Sequence, residues 1–431
     1  MKIRGIRSFF VIALLAAAVF TVGCGGNGGT PVGVTSGAGS GGGGTAANVQ
    51  SISVNGGLTP SLNEAPYADA AFTTVTICEP GTANCQKIPN VLVDTGSYGL
   101  RLLASQITLS LSSLTSGSGT LMNCVSFVDL SYLWGPVALV DVKLGTQEVA
   151  SSTPIQLISS DTNVPTSCSS GNTTGDEDTQ ATLGANGILG VGPEPDDCGP
   201  ACDPNFVTTP PTGDPYYVCT SSTSSASCSA TLVSQMNQVT NPVIYFADND
   251  GVIIELPATT SEAEARLTGS LVFGINTQSN NQLTASNLFS LDQFDNFTVN
   301  FSTCTSSLNV FGVCDASYID SGSNGYFFPD SNIPNCADNT AFFCPTSLTA
   351  LSALNEDPNT MFTNTVSFSI DNADNLFASD NGTDAVFSTL GGTNSADSFD
   401  WGLPFFFGRN VVTAIDGQTV PNVGTGPFWA Y

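Results

Sequence analysis

One short pattern occurs twice in this chain. Asn90-Val91-Leu92-Val93-Asp94-Thr95-Gly96-Ser97 and Ser317-Tyr318-Ile319-Asp320-Ser321-Gly322-Ser323 each run an apolar stretch into aspartate, a hydroxyl residue, glycine and a second hydroxyl. About ninety residues after each comes an apolar run with glycine, Gly187-Ile188-Leu189-Gly190 and Phe405-Phe406-Phe407-Gly408. The same order in both halves predicts two related lobes. In a chain rich in Ser, Thr, Gly and Asp, a single Asp-Thr-Gly-Ser reads as an ordinary turn. Two copies, each led by a strand and trailed by an apolar-glycine run, constrain the fold far more.

The pattern also selects a chemistry. Glycine lets another backbone approach closely, and the hydroxyls can donate hydrogen bonds to the carboxylate. Two such turns brought together make two carboxyls share one proton, because like charges that close cannot both ionise easily. The ionised member can take a proton from a water, and the protonated member can donate to a carbonyl and then to a leaving amine. This requires no cofactor and no metal, and none is expected. The chain has no histidine, which excludes Ser-His-Asp and Cys-His catalysis and imidazole metal sites.

Residues 1–23 read as a signal peptide, with Lys2, Arg4 and Arg7 ahead of an apolar run. Thr21-Val22-Gly23-Cys24 resembles a lipoprotein processing site, which makes Cys24 the expected lipidation site. Residues 24–48 form a Gly/Ser-rich tether. Beyond the leader, five bases face 36 acids, a formal charge of −31. That surface repels nucleic acid, and membrane contact is expected only through the lipid on Cys24. Lys87 and Lys143 are the two lysines left, and neither sits in a Ser-x-x-Lys frame. Twelve further cysteines suit an oxidising compartment and six disulfides. Proximity suggests Cys78–Cys85, Cys198–Cys202, Cys219–Cys228, Cys304–Cys314 and Cys336–Cys344, leaving Cys124–Cys168. Sequence alone leaves the connectivity open, and a zinc site around Cys198 and Cys202 is the rival reading. The acidic clusters at 176–178, 248–251 and 371–384 lack the closing glutamate of a twelve-residue calcium loop and read as solvated turns.

The expected fold class is all-β and bilobal with a few short helices. Strands are expected at 71–77, 91–93, 137–144, 243–247, 252–256, 271–275, 297–301, 366–370 and 405–415, and helices at 230–239 and 347–355. The lobes are expected at 49–240 and 241–431.

Taken in order, these segments resemble the pepsin-like aspartic proteases over most of the chain after Val49. Further similar elements are Leu232-Val233-Ser234-Gln235 through Phe246, Gly269 through Asn276, and Phe406 through Val411. The resemblance implies a pseudo-twofold bilobal fold with Asp94 and Asp320 as catalytic carboxylates. It implies that Ser97 and Ser323 bond the outer carboxylate oxygens, and that Thr95 and Ser321 lock the two loops beside Gly96 and Gly322. Three departures stand out. No Tyr-Gly-x-Gly flap string exists, leaving Tyr132 or Trp134 as flap candidates. Arg409 stands where an acid is common, and Ser321 replaces the commoner threonine. The ending Gly426-Pro427-Phe428-Trp429-Ala430-Tyr431 also resembles an uncharacterised family of bacterial lipoproteins.

The function expected is an aspartic endopeptidase working at acidic pH on a peptide or unfolded protein. It is expected to be monomeric and exported as an outer-membrane lipoprotein of the cell envelope. The alternative is a catalytically silent surface lipoprotein that binds a protein or glycan in the interlobe cleft. A carboxylate-based glycosidase is a third reading.

Overall fold

The computed structural model describes residues 46–431, apart from 63–64, 128–129, 162–163, 173–174, 212, 214 and 221–223. The signal peptide, Cys24 and the tether up to residue 45 lie outside the described residues.

The chain is mostly β-strand. In the first half the central strand is Cys85–Asp94, whose last four residues are all buried. The apolar run Val91–Val93 at its end suits a strand covered on both faces. It pairs antiparallel with Tyr67–Cys78 and parallel with Gly187–Val191. Gly187–Val191 also pairs antiparallel with Tyr98–Leu103. It is therefore inserted between the two strands that the Asp94 turn joins. The second half repeats the device. Asp400–Trp401 pairs parallel with Phe311–Ile319 and antiparallel with Tyr326–Phe327, the strands on either side of the Asp320 turn.

The halves share one sheet. Val49–Gly56 pairs with Leu267–Phe273, which continues through Gly251–Leu256 and Arg409–Ala414 to Phe428–Ala430. One apolar core runs from Val93 and Leu189 to Ile319 and Trp401. In the second half it is dominated by rings, with Phe328 stacked on Phe399 at 5.1 Å and Phe399 against Trp401 at 4.4 Å. The fold class is thus all-β and bilobal.

Local propensity misleads at four places. The helix expected at 347–355 is the strand Thr349–Glu356, which pairs along its whole length with Thr363–Ile370. A distant partner strand outweighs the helix preference of its Ala and Leu residues. The helix expected at 230–239 reduces to a 3-10 turn, Gln235–Asn237. The strand expected at 243–247 is a 3-10 turn, Pro242–Tyr245, started by proline and by the Asn241 side chain accepting from Val243 N at 3.2 Å. The segment 405–415 splits into the turn Leu403–Phe406 and the strand Arg409–Ala414.

All six expected disulfides are present. Cys198 and Cys202 pair with each other, which removes them as zinc ligands. Six disulfides place the folded chain in an oxidising compartment outside the cytoplasm. No helix among the described residues is long and apolar enough to cross a membrane. Cys124–Cys168 closes a separation of 44 residues and Cys198–Cys202 one of four. Loop-closure entropy then predicts that opening the first by Ser substitution costs about 4 kcal/mol and the second about 2 kcal/mol. Denaturant midpoints of the two double variants check the difference.

Candidate active site

The two repeated turns meet at the interface of the halves. Asp94 and Asp320 are both fully buried and hydrogen-bonded to one another. Each carboxyl is held the same way. Gly96 N donates to Asp94 Oδ1 at 2.8 Å and Ser97 Oγ to Oδ2 at 2.5 Å. Gly322 N donates to Asp320 Oδ1 at 2.7 Å and Ser323 Oγ to Oδ2 at 2.7 Å. The inner hydroxyls cross between loops. Thr95 Oγ1 donates to Ile319 O and accepts from Ser321 N, while Ser321 Oγ donates to Val93 O and accepts from Thr95 N, all at 2.9–3.1 Å. These bonds tie residues some 226 positions apart.

Glycine is required at both turns by contact. A Cβ on Gly96 would lie 2.6 Å from Asp320 Cγ, and one on Gly322 would lie 2.5 Å from Asp94 Oδ1. Each carboxyl therefore sits over the other loop's glycine.

Burial raises both acids above the ordinary carboxylate range, and for Asp94 the neighbouring Asp320 charge raises it further. The hydroxyl and amide donors pull the other way. The outcome is a pair that holds a shared proton well above the pH at which a free aspartate loses it.

The inserted strands decide which glycine faces each turn. The glycine in the second half that faces the Asp turn is Gly402, not Gly408. Ile319 is in register with Trp401, and Asp320 N donates to Trp401 O at 3.1 Å. In the first half Asp94 is in register with Gly190. A Cβ on Gly190 would meet Tyr98 N at 2.6 Å, and one on Gly402 would meet Gly325 O at 2.1 Å. Both strike backbone, so relief requires the loop itself to move. Gly402→Ala is expected to destabilise the fold by about 3 kcal/mol or more, seen as a lowered denaturant midpoint.

This register also displaces Arg409 from the site. The residue after the facing glycine is Leu403. Arg409 instead lies over the Phe405 ring at 4.5 Å and donates to Phe405 O at 2.6 Å.

It brings in a further acid, Asp400. Asp400 is fully buried beside Tyr318, and neither of its carboxyl oxygens has a partner in hydrogen-bond geometry. Burial, then the charges of Asp320 and Asp94, hold it well above the usual carboxylate range, against a smaller opposing pull from the Ser323 and Tyr318 hydroxyls. A third buried carboxyl, whose charged form is disfavoured, thus adjoins the pair. The only signal in the sequence is Asp400-Trp401-Gly402, which becomes meaningful once the strand register is known.

Tyr132 and Trp134 lie in the hairpin made by Gly119–Ser126 and Tyr132–Leu144. Both are buried in a satellite core with Met122, Cys124, Cys168 and Tyr217, and Trp134 meets Tyr217 edge-on at 5.4 Å. The hairpin is pinned by Cys124–Cys168 and extended by the strand Tyr216–Cys219 along its edge. The strands Tyr216–Cys219 and Cys228–Ala230 therefore build onto the first half's sheet.

Residues 44–431 match the family described as "Protein of unknown function (DUF3443)". The chain belongs to this family. No curated protein matches this DUF3443 member. Among solved structures it is similar to basic 7S globulin from soybean, with 10% identity, 85% of this chain and 93% of that one covered, and a TM-score of 0.39.

Proposed function

We propose that this chain is an aspartic endopeptidase in which Asp94 and Asp320 activate a water between them. The observation that carries the reading is the reciprocal geometry of the two turns. Two buried carboxyls share a proton, each oriented by one backbone N–H and one serine hydroxyl and locked across the interface by Thr95 and Ser321. The ionised carboxyl takes a proton from the water as it attacks the peptide carbonyl. The protonated one donates to the developing oxyanion and then to the leaving nitrogen. The shared proton is held above the ordinary carboxylate range, which extends the working form of the pair upward from acidic pH. The substrate class is an extended peptide or unfolded protein, bound by a monomer. The export pattern supports a mature protein anchored through Cys24 to the outer membrane.

A second reading has its own support. The pair is fully buried, and the hairpin that would close over a substrate is stapled into a sheet. On that reading the chain is a silent surface protein that binds a protein or glycan between its halves. A peptide carrying a secondary alcohol in place of one amide separates the two. The peptidase reading expects saturable binding that Asp94→Asn abolishes. Absence of binding to the folded, oxidised protein sinks it.

A further inference from the structure

The two lysines beyond the leader lie 56 residues apart in sequence and side by side in the fold. Thr76 is in register with Lys87 on one neighbouring strand and with Lys143 on the other. Strand spacing puts the two lysine backbones about 10 Å apart across the Thr76 hydroxyl. Their side chains line one concavity of about 310 Å³ on the outer face of the first half, with Thr74, Thr76, Thr146 and Gln50. Its wall is braced. Gln50 Nε2 donates to Thr73 Oγ1 at 2.9 Å, Gly145 N donates to Gln50 Oε1 at 2.8 Å, and Thr146 N donates to Ala47 O at 3.1 Å.

Neither ammonium has a carboxylate partner. The one ion pair among the described residues is Arg101–Asp197. Lys143 Nζ has only Cys85 Sγ, at 3.9 Å. Glu148 lines the same concavity, but its Oε2 accepts from Ala247 N at 3.0 Å. In a chain with 36 acids and so few bases, two unpaired cations facing one pocket oppose what the surrounding charge would select. They repel each other unless something negative lies between them.

We propose that this pocket binds a phosphate or sulfate monoester. Two ammonium point charges and a cluster of threonine hydroxyls suit a tetrahedral oxyanion, whereas a planar carboxylate is better met by arginine. The acidic body repels such a ligand at a distance. At physiological ionic strength that repulsion is screened beyond about 8 Å, while contact with the lysines is not. The pocket adjoins Ala47 and Val49, where the described chain begins, so the ligand's source is either a lipid headgroup or a free ester. This inference does not depend on Asp94 or Asp320.

The test uses the full chain with its lysines carrying ¹³C-methyl labels, titrated with inorganic phosphate and with glycerol phosphate at 0.15 M salt. Vesicles of phosphatidylglycerol and of phosphatidylcholine run in parallel. Saturable shifts of both lysine signals are expected. Lys87→Gln or Lys143→Gln should weaken binding about tenfold each, and Arg266→Gln should leave it unchanged. Binding of glycerol phosphate without vesicle attachment supports a free ester. Attachment to phosphatidylglycerol alone, lost in the double lysine variant, supports a headgroup. No saturable shift in the unmutated protein, or binding that survives loss of both lysines, overturns the proposal.

Discussion

Asp94→Asn and Asp320→Asn are each expected to reduce proteolysis by on the order of 10³-fold or more, with the double variant no worse than either single one. Neither carboxyl can work alone, since one must accept a proton while the other donates. The same variants carry a second signature that needs no substrate. A buried carboxyl with a raised folded-state pKa favours the folded chain fully below its unfolded pKa and loses that contribution as pH rises. Asn does not titrate. The stability of either variant relative to the parent should therefore improve steadily from pH 4 to pH 8, whatever constant offset the lost acceptor introduces. Urea unfolding of parent and variants across that range measures it. A flat difference would mean that the pair is not held as described.

The second large effect is a fall in stability of the whole molecule between about pH 4 and pH 8. Burial is the first cause at every group concerned. Glu194 is pushed from 4.5 up to about 8, and Asp196, Asp250 and Asp295 are each pushed up to about 6. Glu194 and Asp295 lie in different halves and are hydrogen-bonded to each other, and Tyr98 OH donates to Asp295 Oδ2 at 2.7 Å. The proton they share closes the seam, and its loss leaves two charges facing each other. All these pKa values are raised, so stability is complete below the unfolded values and is lost as pH climbs through the folded ones. Of these four groups Glu194 is raised furthest and so loses the most. Asp357 has the opposite sign. Amide and hydroxyl donors, among them Thr360 and Ser290, outweigh its partial burial and hold it below its usual range, so its contribution fades in strong acid. A stability maximum near pH 4 follows. Glu194→Gln should flatten much of the descent towards pH 8, read from melting curves at constant ionic strength. Asp400→Asn should flatten a further part, because it removes a buried acid that repels the pair once charged.

What was legible in the sequence was whatever is encoded locally. The aspartate turns announce themselves because strand, carboxylate, glycine and hydroxyl are consecutive. The disulfides were readable because five of the six close short loops and leave one pair over. Features that depend on register were not readable. Gly402 and Gly408 both follow apolar residues, and only the pairing of Ile319 with Trp401 decides between them. Asp400 was missed for the same reason, since its neighbours are supplied by a strand more than eighty residues earlier. The burial of Tyr132 and Trp134 was not readable, because Cys168 and the strand Tyr216–Cys219 that pack around them lie far along the chain. The segment 347–355 has helical composition and becomes a strand because Thr363–Ile370 lies beside it.

The central claim is that the shared-proton pair hydrolyses peptide bonds. Its most direct measurement is incubation of the purified, fully oxidised protein with an unfolded protein from about pH 3 to pH 7, around the carboxylate range, with new chain termini identified by mass spectrometry. The account predicts internal cuts at acidic pH that disappear in Asp320→Asn. A folded sample that makes no cut at any pH, or makes the same cuts without Asp320, would contradict it.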